Sequence, residues 1–356
     1  MYENDNRTVM TLDAGGTNFV FTAIRGGSKV VEPFRMDAVT HDAQRCLDVL
    51  VEGFRKVEEA LAPERPVAIS FAFPGPADYE AGIIGDLPNF PCFRGGIAMG
   101  PYLSQVFGLP VYINNDGNLF AYGEALSGLL PQMNARLEAA GSTKRYQNLI
   151  GLTLGTGFGA GVVLDGRLLR GDNGCGGDVW LMRNVHDPRL FAEESVSIRA
   201  IRREYREGSG SDEELTPAEI YQIAKGQRAG DSKAARRAFE KMGVAMADAL
   251  AHALDIADAL VVVGGGLSGA AEFIFPALIE AINPWLQMKV LDLTTESGLA
   301  SFLKDESVLV PVPGTAKVVR YRKDKKTGIA VSSLGTSMAI SLGAYAYALS
   351  QLDQIK

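Results

Sequence analysis

The sequence predicts an α/β fold built from two similar halves with a cleft between them. The first observation is a strand–turn–strand unit, in which apolar segments at 8–12 and 18–24 enclose the turn Asp13-Ala-Gly-Gly-Thr17. The second is a repeat of that unit, in which segments at 149–154 and 162–164 enclose the turn Gly155-Thr-Gly-Phe-Gly-Ala-Gly161. Each unit is followed by helix and strand patterns, and a length of 356 residues suits two domains better than one.

Composition limits the class of protein and of partner. The apolar share of 47% predicts a soluble globular protein, and the net charge of −7 argues against a nucleic-acid surface, which needs a basic stripe. Three cysteines are too few for a disulfide framework, so a reducing compartment is expected. The polar start has no signal-peptide pattern, and no stretch reaches the roughly 18 apolar residues of a membrane span. We therefore expect a cytoplasmic protein with neither a membrane nor a nucleic-acid partner.

The first half alternates helix and strand patterns around its glycine turn. Two adjacent glycines allow positive φ angles and can form an anion-binding concavity, although an ordinary hairpin turn has the same pattern. Helical spacing predicts a helix over about 42–62, followed by a buried strand over 67–73 that ends in Pro74-Gly-Pro76. The irregular stretch at 77–96 contains Leu87-Pro-Asn89, where the asparagine is either a polyol contact or a turn residue. A short helix is predicted near 97–107.

One acidic residue is the candidate for catalysis. The apolar run at 111–113 predicts a buried strand, and Asn114-Asn-Asp-Gly-Asn118 follows it directly. A carboxylate among amides at the mouth of a strand is where α/β enzymes place their chemistry. We interpret Asp116 as a catalytic base, with a helix predicted from about residue 119.

The glycine-rich turn of the second half joins two strands. A dinucleotide-binding loop would open a helix, whereas Asp165-Gly166 between apolar runs predicts a hairpin. The chain also has no Gly-Lys-Ser/Thr phosphate loop, which argues against a P-loop enzyme. A third glycine turn, Gly264-Gly-Gly266, ends a strand predicted at 259–263 and can approach a ring or a ribose closely, or is a bare turn.

The remaining elements of the second half are read from periodicity and capping signals. Residues 130–147 are interpreted as a polar surface excursion, and a helix from 191 to about 206 would place Glu193 and Ser197 on one face. Thr216-Pro-Ala-Glu219 is a capping box, and helices are predicted at about 233–256 and 337–352. Segments 317–321 and 329–332 are interpreted as a hairpin around a basic turn.

These motifs in this order resemble the ROK family of sugar kinases, in the superfamily of hexokinase, actin and heat-shock ATPases. Each motif is short, but the collinear set spans nearly the whole chain: Asp13-Ala-Gly-Gly-Thr17, Phe73-Pro-Gly-Pro76, Leu87-Pro-Asn89, Asn115-Asp-Gly-Asn118, Gly123-Glu124, Gly155-Thr-Gly-Phe-Gly159, Gly171-Asp-Asn-Gly174, Glu193 with Ser197, and Gly264-Gly-Gly266. The resemblance implies a two-domain actin-like ATPase fold, a duplicated ribonuclease H-like architecture. It implies a smaller domain at 1–117 with about 338–356, and a larger one at 118–337.

The resemblance also implies a role for each site residue. Asp116 would deprotonate the sugar hydroxyl that attacks the γ-phosphate of ATP, and Asp13 would lie near Mg²⁺, through water. The residues that would hold the sugar are Gly75, Asn89, Asn115, Asp178 and Glu193. The residues that would bind ATP or its phosphates are Asp13, Gly15, Gly16, Thr17, Gly155, Thr156 and Gly157, with Gly265 and Gly266 near the adenosine.

The chain departs from the family pattern in three places. Many members have a zinc site made of one histidine and three clustered cysteines, but Leu181 stands at the histidine position and 180–192 contains no cysteine. Because tetrahedral zinc needs four ligands, zinc is not expected. The missing histidine and Asp178, where glutamate is usual, also alter the implied sugar pocket. Stretches at roughly 131–147 and 313–333 look like insertions.

The leading hypothesis is therefore an ATP- and Mg²⁺-dependent kinase that phosphorylates the terminal hydroxymethyl of a hexose or an N-acylhexosamine. One alternative is a sugar-binding relative with weak or no kinase activity, because the pocket is altered. The other is a sugar-responsive transcriptional regulator, which the acidic balance and the early position of Asp13 argue against. A homodimer is expected by analogy with relatives.

Overall fold

A computed structural model describes residues 2, 4–14, 18–75, 77–85 and 91–354. Within these ranges the strands are β1 (Val9–Ala14), β2 (Asn18–Arg25), β3 (Ser28–Asp37), β4 (Ala68–Ala72), β5 (Ala77–Asp78), β6 (Ile83–Ile84), β7 (Val111–Asn114), β8 (Leu149–Leu154), β9 (Phe158–Leu164), β10 (Arg167–Leu168), β11 (Leu260–Gly264), β12 (Lys289–Asp292), β13 (Val308–Pro311), β14 (Val318–Tyr321) and β15 (Lys326–Val331). The helices are α1 (Ala43–Leu61), α2 (Met99–Phe107), α3 (Asp116–Ser127), α4 (Leu129–Ala139), α5 (Ile198–Ser209), α6 (Pro217–Ala224), α7 (Ser232–Ala257), α8 (Ala271–Ile282), α9 (Glu296–Leu303) and α10 (Thr336–Gln354).

The chain divides into two compact units. The first unit comprises Met1–Gly128, Gly161–Gly177 and Leu334–Lys356, and the second comprises Leu129–Ala160 and Asp178–Ser333. This division differs from the boundaries expected from sequence because helix α3 and residues 161–177 join the first unit. The reason for α3 is its packing against α10, where Gly123 and Gly343 let the two backbones approach closely.

The first unit is built on a five-stranded sheet in the order β3-β2-β1-β4-β7. Strands β1, β2 and β3 are antiparallel neighbours, whereas β1, β4 and β7 run parallel. Helix α1 covers one face with the apolar stripe that its sequence period predicted, which packs on Phe21 and Phe71. The side chain of Asp42 caps its N-terminus. Helix α10 contributes Leu342, Tyr345, Ala348 and Leu349 to a second cluster on Val9.

The second sheet has the order β10-β9-β8-β11-β15-β12. Strands β8, β11, β15 and β12 run parallel, and β9 pairs with β10 through the predicted hairpin, where Asp165 and Gly166 have φ angles of 48° and 74°. The predicted capping box at Thr216 and Glu219 is present, with each side chain bonded to the other residue's backbone N–H. The predicted α/β class is confirmed.

Three local predictions are wrong. Residues 129–139 form helix α4 rather than a surface excursion, because Leu130, Met133 and Leu137 recur at helical spacing and are buried. Segments 317–321 and 329–332 do not form a hairpin: β14 pairs with β13, while β15 inserts between β11 and β12.

The third wrong prediction is the helix expected to begin at residue 191. It is replaced by a single 3-10 turn at Ala192–Glu194, after which α5 begins at Ile198. Ser197 between them is extended, with φ −161° and ψ 167°, so the helix cannot run through it.

Among the described residues, every helix is too short or too polar to cross a membrane.

Candidate active site

Three parallel strands of the first unit end at the same sheet edge. Asp13 of β1 lies opposite Ala72 of β4, and Ala72 lies opposite Asn114 of β7. Because parallel strands bring their carboxyl ends together, Asp13 and the residues that follow Asn114 share this edge. The structure therefore places the predicted base and the predicted magnesium ligand on one edge.

The turn from β7 into α3 fixes the position of Asp116. Oδ1 of Asn114 accepts hydrogen bonds from the backbone N of Asn115 at 2.8 Å and from Nδ2 of Asn118 at 3.0 Å. Asn115 then caps α3, because its Oδ1 accepts the N–H of Gly117 at 2.7 Å. Asp116 is the first residue of the helix, three residues earlier than predicted, and its side chain is exposed to solvent.

The electrostatic surroundings of Asp116 suit a proton acceptor. The protein around the carboxyl group removes part of its hydration, and this effect raises its pKa above the ordinary value although solvent reaches one side. The Gly117 N–H, which donates to Oδ1 at 2.8 Å, opposes the rise, and the negative charge of Asp13 adds to it. A carboxylate with a raised pKa is a stronger base than an ordinary aspartate.

Other predicted residues of the first unit are only partly described. Gly75 is exposed three residues beyond the end of β4, and a β-carbon there would lie 3.1 Å from Oη of Tyr79. The Tyr79 hydroxyl is itself fixed, since it donates to the carbonyl of Phe73 at 2.9 Å. Gly15, Gly16, Thr17 and Asn89 lie outside the described residues, and their roles stay predictions.

Two glycine turns meet at one edge of the second sheet. Residues 155–157 connect β8 to β9, and the turn is closed by a bond from the N–H of Gly155 to the carbonyl of Gly157 at 3.0 Å. Strand β11 runs parallel to β8 with Gly264 opposite Thr153, so Gly265 and Gly266 lie at the same edge. Gly265 has φ 86° and no room for a β-carbon beside Leu154, whereas one on Gly155 or Gly266 would meet no described atom within 4 Å. The second edge thus combines close packing with open space beside backbone groups.

Glu193 is tied to the first of these turns. Its Oε2 accepts the N–H of Phe158 at 3.0 Å, and its Oε1 accepts from Nη2 of Arg199 at 3.0 Å. Nη1 of Arg199 also donates to the carbonyl of Thr156 at 3.3 Å, and the N–H of Ile198 donates to the carbonyl of Gly155 at 2.9 Å. Glu193, Arg199 and the turn therefore form one hydrogen-bonded group.

Arg199 was missed in the sequence. It contacts both Glu193 and Glu194, at separations of six and five residues. On one continuous helix such residues would not face each other, since contacts occur at three and four. Only the interruption of the helix before Ile198 brings the arginine and the two glutamates together, and no local sequence pattern predicts that interruption.

Asp178 stands on a neighbouring segment of the second unit. It is exposed and precedes a 3-10 turn at Val179–Leu181; partial desolvation raises its pKa, while a hydrogen bond with Trp180 lowers it. The segment is attached to that of Glu193 through Trp180, whose ring meets Phe191 edge-to-face at 5.8 Å. The described contacts join the two segments but not the two carboxylates. Leu181, which ends this 3-10 turn, is half exposed, at 50%.

The side chains that could bind a metal ion are dispersed in the described part of the chain. Among the described residues no three His, Cys, Asp or Glu side chains are grouped closely enough to hold an ion. Magnesium commonly uses one or two carboxylates together with substrate phosphates, and Asp13 beside Asp116 fits that requirement. Cys175 is exposed and His186 contacts the carbonyl of Lys241 at 3.1 Å. The expectation of no zinc stays a prediction.

Comparison with known proteins identifies the family. The model of the ROK family matches residues 9–309. A crystal structure of a glucokinase from Parabacteroides distasonis is 57% identical, covers 98% of this chain and 99% of its own, and superposes with a TM-score of 0.92. A glucokinase from Thermotoga maritima is 26% identical over 87% of this chain and 96% of its own, and an N-acetyl-D-glucosamine kinase from Vibrio cholerae is 27% identical over 72% and 83%.

Proposed function

The chain belongs to the ROK family, and we propose that it is an ATP-dependent sugar kinase that phosphorylates the terminal hydroxymethyl of a hexose or an N-acylhexosamine. The observation that carries the proposal is Asp116, exposed at the start of α3, with a raised pKa and Asp13 on the same sheet edge. The relatives with glucokinase and N-acetylglucosamine kinase names support this substrate class.

Asp116 acts as the general base in this proposal. Its carboxylate takes the proton of the sugar hydroxyl while the hydroxyl oxygen forms a bond to the γ-phosphorus of ATP. The bond between that phosphorus and the bridging oxygen breaks, and ADP leaves with the electron pair. A positioned carboxylate base contributes about 10²- to 10⁴-fold to such a reaction.

Backbone and charged groups hold the phosphates. Mg²⁺ would neutralise part of the phosphate charge, and Asp13 is the carboxylate that would hold it, through water. The turns contribute N–H groups and space for close approach; the residues assigned to this role are Gly15, Gly16, Thr17, Gly155, Thr156 and Gly157, with Gly265 and Gly266 beside the adenosine. Glu193 and Arg199 keep the turn at 155–157 in a fixed geometry.

The proposal assigns five residues to hydrogen bonds with the sugar hydroxyl groups. These are Gly75, Asn89, Asn115, Asp178 and Glu193. Asn115 also serves as the cap of α3, so the group that contacts the sugar orients the base as well. Leu181 stands where the resemblance implies a histidine, and its side chain offers no hydrogen bond, which favours a sugar that needs no polar contact at that position.

Turnover tests the proposal. We expect ADP release with Mg-ATP that depends on D-glucose or N-acetyl-D-glucosamine, and a loss of about 10²-fold or more in kcat for Asp116→Asn. Asp212→Asn, an exposed aspartate of the second unit, is the matched control and should keep full activity. Sugar binding without ADP release across a broad hexose panel would instead favour a sugar-binding protein without kinase activity. Tight, salt-sensitive binding of duplex DNA would favour a regulator.

The setting proposed for this activity is the cytoplasm, in line with the net charge of −7 and three cysteines that form no disulfide. A homodimer is the proposed assembly, and light scattering on the purified chain measures it directly.

A further inference from the structure

The first unit contains a cavity of about 660 Å³ apart from the residues assigned to ATP and sugar. Its walls are β5 with the residues after it, Asn114 and Asn118 of the turn into α3, the loop at 170–174, and Tyr347 of α10. Asp116, between the two asparagines in sequence, is absent from the described lining, as are Asn115 and Gly75. The volume lies within the range of about 300–1,000 Å³ that small-molecule sites occupy.

An amide oxygen in the wall lacks a partner. Oδ1 of Asn114 is identified as the oxygen because it accepts the N–H of Asn115, so Asn118 must donate to it through Nδ2. This leaves Oδ1 of Asn118 as an acceptor, and it has no hydrogen bond to any described atom although the residue is only 6% exposed. Buried polar atoms are almost always satisfied, so a donor is missing at this place.

The charged side chains that line the cavity indicate which class of ligand supplies the missing hydrogen-bond donor. Three carboxylates, Asp78, Glu80 and Asp172, line the cavity against one guanidinium, that of Arg170. Within the described residues the side chains of Glu80 and Asp172 make no hydrogen bond or ion pair, and the guanidinium of Arg170 makes only long contacts, with Tyr347 Oη at 3.4 Å and Gln351 Oε1 at 3.5 Å. The excess of negative charge disfavours phosphorylated ligands, while free carboxylates, amides and one guanidinium match the acceptors and donors of several hydroxyl groups.

We propose that this cavity is a second binding site, separate from the acceptor position at Asp116, for an unphosphorylated sugar-sized polyol. Hydroxyl groups of the ligand donate to Asn118 Oδ1 and to the carboxylates of Glu80 and Asp172, and one hydroxyl oxygen accepts from Arg170. The site goes beyond the proposed function, from which only the choice of probe is taken.

Equilibrium dialysis of the full chain with labelled D-glucose and no ATP tests the site. We expect a binding component whose Kd rises at least tenfold in Arg170→Met and in Asp172→Asn, and stays unchanged in Glu193→Gln. The two altered side chains are exposed, so the variants should fold, and their melting temperatures check this. Arg55→Met, an exposed arginine of α1, is the matched control and should bind as the unaltered chain does. Excess D-glucose 6-phosphate should fail to displace the component.

The inference is overturned if no component responds to Arg170→Met and Asp172→Asn, if binding needs more than about 20 mM D-glucose, or if the phosphorylated sugar displaces it. Hexose-dependent ADP release without the Arg170-sensitive component would leave the kinase proposal standing and remove the second site. Detection of the Arg170-sensitive binding component without ADP release from any hexose would support the second site and contradict the kinase proposal.

Discussion

The carboxylate of Glu193 occupies the space that a side chain at residue 157 would need. A β-carbon on Gly157 would lie 2.6 Å from Oε2, and the same oxygen accepts the N–H of Phe158 at 3.0 Å. An atom at that distance cannot be accommodated without moving the carboxylate. The glycine therefore allows an acidic side chain to brace a turn assigned to phosphate binding.

Gly157→Ala should damage catalysis more than folding. The methyl group displaces Glu193, so we expect kcat/KM for Mg-ATP to fall about 10- to 100-fold, as is usual when a positioning group moves by about 1 Å. Steady-state kinetics at saturating sugar measures this. Gly269→Ala, where a β-carbon meets no described atom within 4 Å, is the control. Equal kinetics of the two variants would mean that Glu193 moves aside without consequence.

Arg199→Met should separate activity from stability. The guanidinium is 44% exposed, so its ion pairs contribute only about 0–1 kcal/mol to the free energy of unfolding. Its loss, however, releases both Glu193 and the carbonyl of Thr156, and we expect kcat/KM to fall about tenfold. Arg199→Lys should recover part of the activity, because lysine keeps the charge but not the fork of donors.

For Arg199, the measurements are initial rates and thermal melting on the same preparations. Arg206→Met, an exposed arginine of the same helix, is the matched control. A fall in melting temperature large enough to account for the lost activity would contradict the positioning role.

Asp116→Asn should raise the melting temperature at pH 7 while it abolishes turnover. Desolvation by the surrounding protein and the charge of Asp13 raise the pKa of Asp116 in the folded state, so the ionised carboxylate is less favourable there than in the unfolded chain. The folded state binds the proton of Asp116 more tightly than the unfolded chain does. The resulting stabilisation of the folded state is complete below the unfolded pKa and is lost as pH rises through the folded pKa. The advantage of the asparagine variant should therefore shrink as pH falls toward 4, and melting curves between pH 4 and 8 measure it.

The Asp212→Asn variant serves as the comparison for these melting curves, because this exposed aspartate should show no such trend. An asparagine variant at 116 that melts below the unaltered chain at pH 7 would refute the electrostatic account. The kinetic counterpart is the acid limb of kcat/KM, which should fall at a higher pH than an ordinary aspartate would give.

Gly343→Ala should destabilise the first unit. A β-carbon at 343 would overlap the carbonyl oxygen of Leu119 in α3, and one on Gly123 would overlap the carbonyl of Ala339 in α10. Overpacking of this kind costs about 1–3 kcal/mol or more in the free energy of unfolding. Helix propensity alone would favour alanine over glycine by about 1 kcal/mol. The sign of the change in the free energy of unfolding therefore shows which of the two effects is larger. Chemical denaturation gives that sign, and a stabilised variant would show that the helices are not in close contact there.

Local patterns predicted most elements, whereas contacts distant in sequence escaped them. The period of 3.6 revealed α1 and α7, and the Asp165-Gly166 turn was evident from two residues. The pairing of β15 with β11 and β12 has no local signal, because parallel partners are chosen by the tertiary structure.

The site shows the same division between local and long-range information. Asp116, Asn115 and the glycine turns of the second sheet follow recognisable motifs, and the structure places these described residues at strand ends. Arg199 depends on the extended backbone of Ser197, and the cavity beside Asn118 depends on four segments from distant parts of the chain. Periodicity cannot report either arrangement.

The position of α10 has a consequence for biosynthesis. The strand cluster of Val9, Ile24 and Ala68 is completed by Leu342, Tyr345 and Leu349 from the other end of the chain. A ribosome makes the chain from the N-terminus, so this face of the first sheet stays uncovered until α10 has emerged. The second unit, by contrast, has all its segments available once Ser333 has left the exit tunnel. Translation order therefore delays completion of the unit that carries Asp116 until α10 has been synthesised, and truncated products that stop before α10 would expose an apolar surface to quality-control proteases.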